Sequence, residues 1–198
     1  MNPSDQIIRL IQEKGIIRPQ DVEAIGIART YLQRLCEQGL VERVGRGLYR
    51  LADAPLDTHH TFAQVIKRCP KGVIALLSAL EFHQLTTQLP FEVWLVIPAH
   101  HWKPKMDYPP THIVHMSGDA FGYGIETHII SGVPVPIYTV AKTVADCFKF
   151  RNTIGVDVAL EALKQVLREK RATIDDLWQS AKVCRVSSII KPYLEALA

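Results

Sequence analysis

The sequence lacks the features that mark several specialised classes of protein. Its four cysteines stand far apart and form no Cys-x-x-Cys pair, which disfavours a zinc knuckle or a dithiol redox motif. No apolar stretch reaches the roughly 20 residues that span a bilayer, and the first residues do not resemble a secretory signal. We therefore expect a cytoplasmic protein with no membrane partner, whose cysteines serve as small buried apolar side chains.

Catalytic and metal-binding motifs are also scarce. The chain contains no His-Glu-x-x-His, no Gly-x-x-x-x-Gly-Lys, no Gly-x-Ser-x-Gly and no Asp/Glu-x-Lys triplet. His112 and His115 are three residues apart on a predicted strand, so they would point to opposite faces and would not share a metal ion. We therefore predict a protein that is not an enzyme and that has no cofactor and no metal site.

The chain does contain ample material for a globular core. Apolar residues make up 47% of its 198 residues and charged residues 22%, which argues against intrinsic disorder. This length suffices for one large domain or two small ones. The net charge of only +3 is far from the strongly basic composition of a non-specific nucleic-acid binder.

The first 55 residues show the pattern of a winged helix-turn-helix. Helices are predicted over about 3–14, 19–25 and 28–37, with Asn2 as the first cap. Apolar runs at 40–44 and 48–51 then flank a glycine-containing turn and predict a hairpin, the wing. A polar, proline-bearing stretch over 52–58 follows. We therefore predict two domains, 1–55 and 56–198.

The third helix carries the main argument for DNA binding. Leu32, Leu35 and Cys36 share one face at helical spacing, and polar residues occupy the other. Arginine pairs with guanine and glutamine with adenine in the major groove, and arginines on the wing can approach the DNA backbone. The predicted DNA contacts are Arg29, Thr30, Tyr31, Gln33, Arg34, Arg43, Arg46 and Arg50.

The charge of the chain is concentrated in this same segment. Five arginines against two glutamates between residues 29 and 50 leave a local excess of three, equal to the formal charge of the whole chain. Such a patch is the electrostatic footprint of a duplex binder. Two alternatives remain open: a winged helix that docks a protein, and arginines that form only a solvated face.

The second half predicts an α/β domain with a small, mostly antiparallel sheet and several helices, so the fold class is α+β. Two prolines place the strand over 133–138 at a sheet edge, and segment 98–110 is predicted to be a loop. The expected helices are 60–68, 73–85, 139–150, 155–169, 173–182 and 186–197, and the expected strands are 91–97, 111–116, 126–130 and 133–138.

One polar cluster stands out in this half. Lys142, Asp146 and Lys149 fall on one face of the helix predicted over 139–150. The simpler interpretation is an exposed salt bridge on the helix surface. The alternative is a polar patch that contacts a partner or nucleic acid, which would also suit a nucleic-acid-processing enzyme targeted by a winged helix.

Four segments together resemble the AbiEi family of antitoxins and transcriptional regulators. They are Leu32–Tyr49 (LQRLCEQGLVERVGRGLY), Gly72–Leu85, Val135–Arg151 (VPIYTVAKTVADCFKFR) and Gly155–Leu163. Segment 98–125 and the final 30 residues match no family pattern that we can identify.

The resemblance implies a bacterial repressor that autoregulates its own operon in a type IV toxin–antitoxin, or abortive-infection, system. Its winged helix would bind operator DNA with inverted repeats as a monomer or weak homodimer, with Arg43 and Arg46 foremost. Its second domain would counteract a nucleotidyltransferase-like toxin without a stable complex. Lys142, Asp146, Lys149 and Arg151 belong to the shared motif, with no assigned role. A protein-interaction adaptor is the remaining alternative.

Overall fold

The computed structural model describes residues 2–55, 57–104 and 106–197. Met1, Leu56 and Ala198, which bound the predicted domains, therefore lie outside the described residues, as does Lys105. The described residues form eleven helices and two sheets, which confirms the α+β class. By their contacts they divide into two compact units: Met1–Arg68 with His128–Val135, and Cys69–Thr127 with Pro136–Ala198.

Three short helices open the first unit. The side chain of Asn2 accepts a hydrogen bond from the amide of Ser4, and Pro3 occupies the first helical position, so the first helix starts where its cap and proline predict. It ends at Gly15, whose positive φ of 66° suits a residue without a Cβ. The helices are α1 (Pro3–Lys14), α2 (Pro19–Glu23) and α3 (Thr30–Glu37).

A two-stranded antiparallel hairpin follows these helices. Strands β1 (Val41–Gly45) and β2 (Leu48–Leu51) are joined by Arg46 and Gly47, which we call the hairpin turn. The register shifts between Arg43 and Gly45, so the hairpin carries a bulge beside its turn. The apolar faces of α1, α3 and β1 close over a separate small core built from Ile7, Ile11, Ile17, Val22, Ile27, Leu32, Leu35 and Val41.

Helix α4 (His60–Arg68) completes the first unit, together with residues 128–135. Five consecutive residues of α4, Phe62 to Ile66, are buried, so this helix is enclosed rather than laid on a surface. The first unit, as defined by contacts, therefore extends past residue 55, where the predicted first domain ends. The division of the chain into domains 1–55 and 56–198 stays a prediction.

The second unit holds most of the larger, five-stranded sheet and the remaining helices. The strand order is β5-β4-β3-β7-β6. The strands are β3 (Val73–Ile74), β4 (Val93–Pro98), β5 (Thr111–Met116), β6 (Ile125–Ile130) and β7 (Val133–Tyr138). The helices are α5 (Leu76–Phe82), α6 (Asp119–Gly122), α7 (Val140–Lys149), α8 (Arg151–Ile154), α9 (Val156–Arg168), α10 (Ile174–Cys184) and α11 (Ser187–Leu197).

The sheet differs from the sequence prediction in three respects. Strand β3 pairs antiparallel with β4, but β4–β5 and β3–β7 are parallel, so the sheet is mixed and the expected mostly antiparallel sheet is wrong. Strand β7 lies between β3 and β6 rather than at an edge. Its prolines are tolerated there because the two-residue β3 is registered with β7 at Ile137 alone, so neither Pro134 nor Pro136 is among the residues paired with β3.

The third difference is that the helix predicted over 73–85 is in fact a strand followed by a helix. Val73 and Ile74 form β3 at the centre of the sheet, and α5 begins only at Leu76. A short, continuous apolar run fits a buried strand and a buried helix equally well, so periodicity could not separate the two. The helix predicted over 60–68 and the strands predicted over 111–116 and 133–138 are observed with those bounds.

Helix α7 runs through the core of the second unit. Every residue from Ala141 to Phe148 is buried, so α7 has no solvated face along this stretch. Its apolar residues pack among those of α5, α9, α10 and α11. Within the described part of the chain, no helix combines the length and the apolar character that crossing a membrane requires.

Candidate nucleic-acid interface

Helix α3 has one buried and one exposed face, as its sequence predicts. Leu32 and Leu35 are buried in the small core of the first unit, which fixes the rotation of the helix about its axis. The opposite face therefore points to solvent. Of the predicted contacts in this segment, Arg29, Thr30, Gln33 and Arg34 are exposed and Tyr31 is half-buried.

Two contacts within α3 order its exposed side chains. The guanidinium of Arg34 lies 5.2 Å from the centroid of the Tyr31 ring, a cation–π distance. The side-chain amide of Gln33 donates to the carboxylate of Glu37 at 3.0 Å, one helical turn away. Arg34 is thus presented against an aromatic ring, whereas Gln33 must give up its bond to Glu37 before it can meet a base.

The hairpin places two more arginines at the surface. Arg43 and Arg46 are exposed, and Arg46 stands in the hairpin turn itself. The Nε of Arg43 donates to the carbonyl oxygen of Gly45 at 3.2 Å, so this side chain lies along the hairpin. Gly47 has a φ of 68°, which a residue without a Cβ adopts freely and which closes the turn.

Arg50 does not belong to this exposed set, although the sequence places it with the other arginines. It is only 8% exposed. Glu42 lies directly opposite it in the hairpin register, and its carboxylate accepts a hydrogen bond from the Arg50 Nε in an ion pair. A second bond, from Nη1 to the Ala54 carbonyl, measures 3.4 Å. Arg50 therefore anchors the hairpin, and its predicted DNA contact is wrong.

The charge argument survives this correction. The Arg50–Glu42 pair removes one cation and one anion together, which leaves four arginines and one glutamate in the segment. The excess of three positive charges is unchanged and now rests entirely on exposed arginines. Because exposed cations feel the field of a neighbouring polyanion more than paired ones, this arrangement suits a DNA backbone.

A further arginine that the sequence analysis missed lies beside the hairpin turn. Arg68 is the last residue of α4, and its Nη2 lies 3.5 Å from the carbonyl oxygen of Arg46. Because 22 positions separate the two residues, no local pattern connects them. The only sequence signal was the basic end, Lys67 and Arg68, of the helix predicted over 60–68.

The polar cluster of α7 occupies a different environment from the predicted one. The side chains of Lys142 and Asp146 are both 0% exposed, so this pair is neither a surface salt bridge nor a patch that can contact a partner. The Lys142 Nζ donates to both carboxylate oxygens of Asp146, at 2.7 and 2.5 Å. The predicted ion pair between Lys142 and Asp146 is therefore confirmed, but its predicted place on the surface and the alternative of an exposed polar patch are wrong, because Ala141 to Phe148 of α7 are buried.

The buried pair is surrounded by further polar partners. The Cys184 thiol donates to Asp146 Oδ1 at 3.3 Å, and the Lys142 Nζ lies 4.0 Å from the centroid of the Tyr138 ring. Burial raises the pKa of the Asp146 carboxyl, and the Lys142 ammonium opposes that rise. Burial, with the charge of Asp146, raises the pKa of Cys184 to about 12, so its thiol stays protonated and remains a donor.

Lys149 and Arg151 are half-buried and bind backbone rather than carboxylates. The Lys149 Nζ donates to the Cys184 carbonyl at 3.2 Å, and Arg151 Nη1 donates to the Phe148 carbonyl at 3.0 Å. Three of the four motif residues therefore join α7 to itself or to the end of α10. These four residues therefore form hydrogen bonds and an ion pair inside the second unit.

The histidines do not assemble into a metal centre among the described residues, in which no group of three or more potential ligands comes together. His112 stacks on Trp94 with ring centroids 3.9 Å apart, and its Nδ1 lies 3.1 Å from the Glu92 carboxylate. His115 instead lies 3.2 Å from the His101 carbonyl. The two histidines thus have separate partners.

Comparison with known protein families gives a match to the amino-terminal segment. Residues 5–52 match the family model described as "Transcriptional regulator, AbiEi antitoxin", and this range runs from α1 through β2. No curated protein matches the chain. The matched range contains α3, the hairpin and the exposed Arg29, Arg34, Arg43 and Arg46. Residues 5–52 are therefore similar to the AbiEi antitoxin transcriptional regulators, which confirms for this segment the family resemblance seen in the sequence.

Proposed function

We propose that this protein is a sequence-specific repressor of its own operon, which binds operator DNA through α3 and the β1–β2 hairpin as a winged helix-turn-helix. The observation that carries the proposal is the set of exposed arginines, Arg29, Arg34, Arg43 and Arg46, on two adjoining elements of one small unit. In such folds the second helix of the motif enters the major groove, and a wing lies along the backbone.

The two elements have different tasks in this proposal. Thr30, Gln33 and Arg34 face away from the core and are positioned to read base edges. Arg43 and Arg46 carry charge to the hairpin, where they neutralise phosphates and set the register. Arg29 precedes the first residue of α3 and adds a phosphate contact at the start of the helix.

We further infer that the protein is the antitoxin of a type IV toxin–antitoxin system and acts in the cytoplasm on a nucleotidyltransferase-like toxin. Support comes from the family description of residues 5–52. The second unit would carry the antitoxin activity. We expect no stable complex with the toxin, and we expect the protein to be a monomer or a weak homodimer that occupies inverted repeats one chain per half-site.

A regulatory role also fits the chemistry of the second unit better than catalysis does. The enzyme alternative depended on a polar face at Lys142, Asp146 and Lys149. Lys142 and Asp146 are fully enclosed and bind each other, so they have no access to a substrate.

The proposal is tested by fluorescence anisotropy with the DNA upstream of the gene and with an unrelated fragment of equal length. A specific repressor binds the upstream fragment at least about a thousandfold more tightly. If Arg29, Arg43 and Arg46 contact phosphates while Arg34 contacts a base, the slope of log K against log salt is about −2.7 per chain. Equal affinity for both fragments would contradict specific recognition.

Single substitutions then separate base contacts from phosphate contacts. R34A loses a base contact, so we expect it to reduce specific affinity about 5- to 150-fold. R43A and R46A should each weaken both fragments and reduce the salt slope by about 1. Arg168 is a matched control, because its side chain on α9 is 77% exposed. R168A that weakened binding as much as R46A would refute the contact assignment.

Antitoxin activity needs its own measurement. Co-expression of this chain with the toxin encoded next to it should restore growth, and R34A/R46A should still do so, because the exposed arginines serve the operator. Affinity capture of the tagged chain should recover no stoichiometric toxin. A variant that loses growth rescue together with operator binding would contradict the proposed division of labour between the two units.

A further inference from the structure

Arg68 connects the end of α4 to the hairpin turn. Its Nη2 approaches the carbonyl oxygen of Arg46 at 3.5 Å, at the outer limit of a hydrogen bond. Both residues belong to the first unit. Arg68 lies outside residues 5–52, the range that matches the family model, so neither that match nor the predicted domain boundary assigns it a role.

Gly45 explains how the guanidinium reaches this position. A Cβ built on Gly45 would lie 2.9 Å from Arg68 Nη2, closer than such contacts occur in proteins. The φ of Gly45 is not among the positive values of the chain, so the backbone there does not itself require glycine. The missing side chain instead leaves room for the guanidinium to lie against the hairpin.

The guanidinium of Arg68 also has hydrogen-bonding capacity to spare. Its Nε is shielded from solvent and has no hydrogen-bond partner within the described part of the chain. An arginine offers five N–H donors, and the contact to Arg46 uses one of them weakly. Arg68 is half-buried, and its guanidinium therefore keeps donors that can turn toward the hairpin.

We propose that Arg68 is a positioning residue of the DNA-binding surface, which holds the hairpin turn so that Arg46 meets a backbone phosphate of duplex DNA. This inference rests on the proposed DNA-binding function. It extends the DNA-binding surface to the end of α4. Gly45 is the partner of Arg68 in this contact, because the absence of a side chain at Gly45 leaves room for the guanidinium beside the hairpin turn.

Operator affinity in single and double variants tests the proposal. At about 0.15 M salt, one phosphate contact that releases about 0.9 counterion contributes about fivefold in affinity. R68A should therefore weaken binding by up to about fivefold, the full effect of R46A. The double variant R46A/R68A should bind no more weakly than R46A, because Arg68 acts through Arg46. Additive losses would overturn the positioning role.

Gly45→Ala reaches the same contact from the hairpin side. Its methyl group would lie 2.9 Å from Arg68 Nη2, and the flexible end of that side chain must move aside, so G45A should weaken binding by no more than R68A does, and G45A/R68A should match R68A. G45A therefore tests the same contact in a protein that keeps Arg68. A greater loss in G45A than in R68A, or a further loss in the double variant, would overturn the assignment. R168A again controls for the loss of one surface arginine.

Amide hydrogen exchange of the free protein separates this inference from the proposed function. Without DNA, R68A should speed exchange at residues 45–48 and leave α1 unchanged. Faster exchange in a protein that binds no DNA would mean that the brace exists but the function is wrong. Unchanged exchange together with unchanged operator affinity in R68A would mean that Arg68 does not position the hairpin turn, and would overturn this inference.

Discussion

The Lys142–Asp146 pair offers the sharpest test of how α7 is built. Replacing Lys142 with methionine keeps a long apolar stem but removes the ammonium from a carboxylate that is 0% exposed. What remains near Asp146 is the Cys184 thiol at 3.3 Å, a weak donor, and the charge of Lys149, which makes no hydrogen bond to Asp146 among the described contacts. Breaking one side of a buried pair costs about 3–5 kcal/mol, because the surviving charge has no partner and no water.

This magnitude is large enough to see in a simple denaturation experiment. With a urea m value of about 2 kcal/mol/M, a loss of about 4 kcal/mol moves the unfolding midpoint by about 2 M. Far-ultraviolet circular dichroism follows that midpoint. The matched control is the double variant K142M/D146L, which removes both charges; replacing a whole buried pair with apolar side chains is often neutral or stabilising.

The pH dependence of K142M supplies a second readout with a definite sign. Burial raises the pKa of Asp146 and Lys142 opposes the rise, so K142M raises it further. The folded state then holds the proton more tightly than the unfolded state. The loss of unfolding free energy in K142M, relative to the native protein, should therefore be smaller near pH 5 than near pH 8. It should change by about 1.4 kcal/mol for each pH unit over which Asp146 is protonated in the folded variant but ionised in the native protein.

Two results would refute this reasoning. One is a K142M variant that loses less than about 1 kcal/mol near pH 8, which would mean that water or another partner reaches Asp146. The other is a double variant no more stable than K142M, which would mean that packing of the lysine stem, rather than the unpaired carboxylate, causes the loss.

Two further predictions concern other parts of the chain. Gly15 and Gly26 both have positive φ, but a Cβ on Gly15 would lie 1.8 Å from the Ser131 carbonyl oxygen whereas none of the described atoms lies within 4 Å at Gly26. G26A should therefore cost about 1–2 kcal/mol of unfolding free energy and G15A clearly more, and equal midpoints in urea would contradict the close approach. Cys184 is buried, with its pKa raised to about 12, while Cys36 is partly exposed. A thiol reagent near neutral pH should label Cys36 first and Cys184 only on unfolding. Peptide mapping at successive times gives the order in which the two cysteines are labelled.

The amino-terminal unit was largely predictable because its signals are local. Asn2 and Pro3 mark the start of α1 by cap chemistry that acts within one turn. The spacing of Leu32 and Leu35 fixes which side of α3 is buried, and so which side chains of α3 reach solvent. A glycine at the hairpin turn and flanking apolar runs define β1 and β2 within a residue or so.

The sequence by itself therefore determined the three short helices, the hairpin and the exposed face of α3 with Arg34, together with the family that residues 5–52 resemble. Tertiary structure decided that Arg50 pairs with Glu42, that Arg68 reaches Arg46, and that Lys142 and Asp146 lie in the core. A helical wheel shows which residues share a face, but it cannot show whether another element covers that face. Burial of a polar face, like the order of strands in a sheet, depends on neighbours that are distant in the chain, and no local pattern of side chains encodes them.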